Sequence, residues 1–166
     1  MSGIVIYRSS TGSTKEYADW IAEETGFGVH DSRDAGIPWE GAGTVVIGSP
    51  IIVNKPSLAG WVQKNWDRMK DKRVVLFTTS GADPANEPVQ EWIDKSLPES
   101  IRSQIRAFPL PGRFDYARLK GISKAMIWIA GVLLGNKDVK NQIRNPVDGV
   151  AKENLAPLLE YLREGG

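Results

Sequence analysis

The chain has 166 residues, of which 41% are apolar and 25% charged, so it has the length of one domain with a real core, and wholesale disorder or a multi-pass membrane protein is excluded. Cysteine is absent and His30 is the one histidine, which removes disulfides, iron–sulfur clusters and cysteine nucleophiles and leaves metal chemistry poorly supplied. The net charge of +1 conceals a segregation: Arg102 to Arg144 holds nine bases against two acids, and the remainder 12 bases against 18 acids.

In chain order, Gly3–Tyr7 is a short β-branched strand, followed by the hydroxyl-rich stretch Ser9–Thr14 and a helix whose Tyr17, Ala18, Ile21 and Ala22 share one face and whose stop signal is Gly26. Phe27–His30 and Thr44–Gly48 are the next two strands, with Ser49–Asn54 as the loop beyond the second of them. Pro56 and Ser57 open a helix carrying Leu58, Trp61, Val62 and Trp66 at helical spacing. Arg73–Phe77 makes strand four and Thr78–Asp83 its loop; Pro88 to about Ser103 reads as a helix broken near Pro98, and Ile105–Leu110 as strand five. A last helix is predicted over Val147–Leu162. Alternation of short strands with amphipathic helices predicts an α/β fold, a parallel sheet covered on both faces, as one domain over residues 1–166.

Between strand five and the last helix lies Pro111–Asn145, too long for a structureless loop in a compact domain. Ile122–Leu134 supplies a mostly apolar helix of about 20 Å, short of the roughly 30 Å of a bilayer core, flanked by Lys120, Lys124 and Lys137. That pattern fits a helix lying on a membrane, a helix packed on the sheet, or one buried between subunits.

In an open parallel sheet, ligands sit beyond the carboxyl ends of the strands where strand order reverses, so the loops after strands one, three and four are the candidate site. The first, Ser9, Ser10, Thr11, Gly12, Ser13 and Thr14, sets five hydroxyls and a glycine before a helix. Backbone N–H groups at that helix start and the hydroxyls around them suit a single terminal phosphate, whereas one hydroxyl would suffice for a simple cap. The glycine pattern of dinucleotide sites and the lysine of triphosphate loops are both missing.

The spacing of Ser9, Thr11, Gly12 and Thr14 after strand one resembles the flavodoxin family, whose phosphate loop reads Thr/Ser-x-Thr-Gly-x-Thr. The resemblance covers nearly the whole chain and implies a flavodoxin-like three-layer sandwich with strand order 2-1-3-4-5. It further implies flavin mononucleotide (FMN), phosphate in the first loop and ring between Ser49, Pro50, Ile51, Ile52, Val53 and Asn54 on one side and Thr79, Ser80, Gly81, Ala82 and Asp83 on the other. Neither ring loop offers an aromatic residue, and the chain lacks the strong acidity of the family's electron carriers. Pro111-Gly112-Arg113-Phe114-Asp115-Tyr116 and the basic-apolar helix after it are similar to one branch, the menaquinone-dependent protoporphyrinogen dehydrogenases.

The expected protein is therefore an FMN-dependent oxidoreductase that passes electrons from an organic substrate, a protoporphyrinogen-like molecule among the candidates, through flavin to a quinone-type acceptor. Its alternative is a flavodoxin-type carrier between protein partners. No protein side chain is assigned as acid or base, and no metal is expected; His30 and Asp83 receive no catalytic role, and the tryptophans are read as core, with Trp39 left open. Membrane contact through 113–140 and oligomerisation stay open, a nucleic-acid partner is not expected without a recognition motif, and the absence of an export signal gives a cytoplasmic expectation.

Overall fold

A computed structural model describes residues 2–81, 84 and 88–165, without the side chains of Arg118, Ser123, Asp138, Val139 and Gln142. Its centre is a five-stranded parallel sheet in the order β2-β1-β3-β4-β5, formed by β1 (Gly3–Tyr7), β2 (Gly28–Asp31), β3 (Thr44–Pro50), β4 (Arg73–Ser80) and β5 (Ile105–Pro111). Alternate residues of each strand face opposite sides, which sorts the core into two layers. Ile6, Val45, Ile47, Val74 and Leu76 meet α2 (Ala59–Asn65), α3 (Val89–Ser96) and the single turn α4 (Glu99–Arg102). Val5, Val46, Val75 and Phe77 meet α1 (Ser13–Thr25) and α7 (Ala156–Glu164) on the other face. The three-layer flavodoxin-like sandwich read from the sequence is the fold of the molecule.

Several boundaries move. Strands three and four run on into Ser49–Pro50 and Thr78–Ser80, because Pro50 pairs with Thr79 and Ser80 with Pro111. Pro109 and Pro111 are tolerated because β5 is an edge strand. The helix expected over Pro88–Ser103 is two pieces, separated at Leu97–Pro98. The last helix begins later than Val147: Val147–Asp148 (β7) pairs antiparallel with Arg113–Phe114 (β6), and regular α-helix starts only at Ala156, with Pro157 in its first turn.

The insertion therefore has structure throughout. After β6 come a 3₁₀ turn at Tyr116–Arg118, α5 (Gly121–Trp128), a π-helical turn at Ile129–Leu133, and α6 (Lys137–Arg144). Phe114, Leu119 and Ile127 form a small apolar cluster of their own, with Tyr116 and Ile143 against it. Its stem is fastened to the sheet by main-chain bonds, Gly112 N–H to Ser80 O at 2.7 Å and Gly149 N–H to Gly112 O at 3.1 Å. A Cβ on Gly112 would stand 2.9 Å from the Ser80 backbone nitrogen, so the approach requires glycine there. Tyr17 ties the same corner together: its hydroxyl donates to Pro111 O and accepts from Asn154 Nδ2, each at 2.8 Å. Burial pushes the Tyr17 phenol above its ordinary pKa, against the lowering effect of Asn154.

Candidate functional site

At the carboxyl ends of β1 and β3 the chain leaves for opposite faces of the sheet, which opens a crevice between the two loops. One end of this cleft is lined by Ser10, Thr11 and Ser13. Gly12, at φ 92°, turns the chain into α1, with its N–H on Ser9 Oγ at 3.0 Å and its carbonyl accepting Glu16 N–H at 3.0 Å. The Thr11 hydroxyl donates to Arg113 O at 3.0 Å and lies 3.3 Å from Ser13 Oγ. The result is a donor-rich pocket end at the positive pole of a helix, suited to an anion.

Thr14 has a different position. It is fully buried and shares a 2.8 Å hydrogen bond with Thr79 Oγ1, joining α1 to β4 behind the cleft wall. Gly48 beside it allows that close approach, since a Cβ there would fall 2.9 Å from Thr14 Cγ2 and 2.4 Å from the Phe77 ring.

The second wall is apolar, Pro50, Ile51, Ile52 and Val53, ending at Asn54. Ile51 N–H bonds Thr79 O at 2.8 Å, and the tip folds back on itself through Ile52 N–H to Lys55 O at 2.8 Å and a bridge from Ile51 to Pro56. Two successive non-glycine residues at this tip, Val53 (φ 49°) and Asn54 (φ 60°), adopt the left-handed region. For the β-branched Val53 that conformation is strained, and strain of this kind concentrates at functional loops. Ser49 is buried behind the wall, its hydroxyl accepting Leu58 N–H at 3.0 Å and so holding the return of the loop into α2.

Opposite stand Thr79, Ser80 and Gly81. Ala82 and Asp83, expected here, lie outside the described residues. Of the remaining residues expected at the site, the structure brings eleven together around the cleft and puts Ser9, Gly12, Thr14 and Ser49 in the scaffold that shapes it.

Five further lining residues come from elsewhere: Trp92 of α3, Arg113 and Phe114 of β6, and Leu119 and Ile127 of the insertion. The ring loops indeed lack aromatics, yet Trp92 and Phe114 supply them from outside the loops. Phe114 falls in the Pro-Gly-Arg-Phe-Asp-Tyr segment that the sequence already marks, whereas Trp92 carried only a helix-face signal. Trp39 is not at the cleft; it stacks on Trp61 with centroids 5.9 Å apart.

Arg113 is the one charged residue among the described lining. Its Nε donates to Asp148 at 2.8 Å and its Nη2 to Glu16 at 3.2 Å, and Nη1 stands 3.9 Å from where a Gly12 side chain would begin. Asp148 first, and Glu16 after it, hold the guanidinium above even its usual high pKa. The cation is thus fixed over the hydroxyl loop with one nitrogen directed to neither carboxylate. Among the described residues no group of three or more His, Cys, Asp or Glu side chains could hold a metal ion.

A switch-point cleft with a phosphate-type cradle at one end and an apolar slot at the other defines an α/β protein of flavodoxin-like architecture. The chain belongs to the flavodoxin domain family, whose pattern it matches over residues 4–139. Solved structures similar to it include a flavodoxin from the domain Archaea, 19% identical with a TM-score of 0.45, covering 84% of this chain and 99% of that one. Flavodoxin 1 from Bacillus cereus is 16% identical with a TM-score of 0.45, covering 87% and 93%. A flavoprotein in complex with FMN from Lactobacillus acidophilus is 17% identical with a TM-score of 0.44, covering 66% and 91%. No curated protein sequence matches the chain significantly.

Proposed function

We propose that this chain is an FMN-dependent oxidoreductase that passes electrons from a small organic substrate to a quinone-type acceptor. The observation that carries the reading is the convergence in one cleft of the hydroxyl loop, two ring loops and an apolar roof contributed by the insertion. The donor set fits FMN in kind: neutral hydroxyls and helix N–H groups for a phosphomonoester, with Arg113 adding charge, and a slot of Pro50, Ile51, Ile52 and Val53 facing Thr79, Ser80, Gly81 and Trp92 for a flat ring. When bound, the flavin supplies the redox chemistry, and the protein supplies binding, orientation and access.

Ser10 and Ser13, with the backbone N–H groups of their loop, would hold the phosphate end, while the Thr11 hydroxyl ties that loop to Arg113 O. Phe114, Leu119 and Ile127 shield the slot from water and favour a lipophilic reactant beside the ring. Among the described lining residues no carboxylic acid, histidine or lysine is placed to move a proton, so no side chain is assigned that role. The same shortage is what favours the second reading, a one-electron carrier serving protein partners. The Pro111–Tyr116 segment and the basic-apolar helix after it are what direct this reading toward protoporphyrinogen-like substrates, through the resemblance to the quinone-dependent branch.

Anaerobic stopped-flow mixing of the FMN-loaded chain with small organic donors, followed by quinones, discriminates between the two, with flavin absorbance as readout. The enzyme reading expects flavin reduction by a donor and rapid reoxidation by a quinone. Electron exchange with redox proteins alone, and none with any donor or quinone, would establish the carrier instead.

A further inference from the structure

The helical part of the insertion has two unlike sides. Ile127 and Ala130 are buried, and Ile127 looks into the cleft. Ile122, Met126 and Ile129 recur at i, i+4 and i+7 and are exposed, with Leu133 and Leu134 exposed at and just after the π-helical turn; Ile122 is 80% exposed and Leu134 75%. Trp128 and Val132 flank the stripe and are also exposed. A run of long apolar side chains of this extent in water is a binding surface or a liability, and none of the described residues covers it.

Its flanks in the chain are basic. Lys120 before the helix and Lys137, Lys140 and Arg144 after it are exposed, Lys124 is half-buried over the Tyr116 ring at 5.2 Å, and Asp138 is the one acid in the sequence between Leu119 and Val147. A second copy docked face to face about a two-fold axis would set these bases against themselves, because such an interface brings the same patch to both sides. An anionic surface is complementary to the same bases. The segment is also too short to cross a membrane, and no described helix is long and apolar enough to do so. Long aliphatic chains, a tryptophan and flanking lysines on one helix are what an interfacial helix needs.

We propose that the outer face of the insertion docks on an anionic phospholipid bilayer, with Ile122, Met126, Ile129 and Leu133 in the acyl boundary and the lysines among the headgroups. Because α5 also contributes Ile127 to the cleft wall, docking sets one wall of the cleft against the membrane surface. The proposal goes beyond the redox reading and does not depend on which flavin or substrate the cleft takes.

The test is co-sedimentation of the full chain with phosphatidylcholine vesicles, with and without about one-third phosphatidylglycerol, at low salt and at about 0.5 M salt, where screening is short-ranged. Binding is expected to the anionic vesicles at low salt and to fall at least about tenfold on raising salt or omitting phosphatidylglycerol. Replacing both Leu133→Gln and Leu134→Gln should abolish binding, and Lys137→Gln with Lys140→Gln should weaken it by about tenfold or more. All four side chains are exposed, and unchanged circular dichroism and melting identify folded variants. The lysine variant tests the proposal even if the leucine variant does not fold. Failure to bind anionic vesicles, or folded variants that bind like the wild type, overturns it. So does a micromolar dimer in sedimentation equilibrium that the leucine variant dissociates, since the face then belongs to a second copy.

Discussion

The sheet and the insertion use apolar residues in opposite ways. In the sheet every residue of β3 is buried, and the alternating side chains of β1, β3 and β4 are consumed by two helical layers. In the insertion, Phe114, Leu119 and Ile127 form the apolar cluster with Ala130 also buried, while among the described side chains seven large apolar ones from Ile122 to Leu134 stand exposed. Burying apolar area is what stabilises a fold, at roughly 25 cal/mol per Å². The sheet's composition is accounted for by its own stability, and the insertion's is not; its surplus is what the proposed membrane docking would use.

The comparison can be broken most severely at Phe77, which is fully buried, lies under Gly48 and meets the Tyr17 ring edge-on at 6.3 Å. Phe77→Ala should cost about 3–5 kcal/mol in denaturant unfolding, because the cavity opens between layers that cannot collapse onto it. A loss under about 1 kcal/mol would mean that the sheet is not the rigid part.

Tyr17→Phe tests the joint between the two regions. It removes the hydroxyl that bonds Pro111 O and Asn154, leaving both without that partner. We expect about 1–3 kcal/mol, with hydrogen exchange at residues 111–113 and 149–154 speeding up more than exchange in β3. Uniform acceleration would show that the insertion and the sheet open as one unit.

At the cleft lip the sign reverses. Val53→Asn should raise stability by about 1 kcal/mol, since asparagine tolerates the left-handed backbone that valine resists and the side chain, 43% exposed, packs little. A destabilised variant would mean that Val53 makes contacts that outweigh the strain. The smallest effect belongs to the insertion's outer face: Leu134→Ser should change the melting free energy by less than about 0.5 kcal/mol. A larger loss would place this face in the core after all.

What could be read from the sequence follows the same division. The strands, both layers and the three loops were legible because continuous apolar runs at Val45–Ile47 and Val74–Phe77 and period-3.6 spacing at Tyr17–Ile21 are written in the sequence, whereas the strand order came only from the family resemblance carried by Ser9, Thr11, Gly12 and Thr14. Thr78–Ser80 looked like loop because hydroxyl residues resemble turns; the pairing that makes them strand comes from Pro109–Pro111 on a neighbour distant in sequence. Val147–Asp148 looked helical because Val150, Leu155 and Leu158 continue the spacing, while the partner that draws it into a ribbon is Arg113–Phe114. Of the cleft, residues on the strand-end loops were legible, but Trp92, Leu119 and Ile127 arrive through the path of crossovers, which no local spacing encodes. The same limit applies to Thr14 and Ser49, whose hydroxyls are used within the scaffold.

The measurement closest to the central claim is a fluorescence titration of the purified chain with FMN and with riboflavin, which differ by the phosphate alone. If the cleft end lined by Ser10, Thr11 and Ser13, with Arg113 beside it, receives that phosphate, FMN should bind at least about tenfold more tightly, the gap being set by charge-assisted hydrogen bonds and narrowing as salt is added. Equal affinity for the two, or no quenching of either, would contradict the assignment of this cleft.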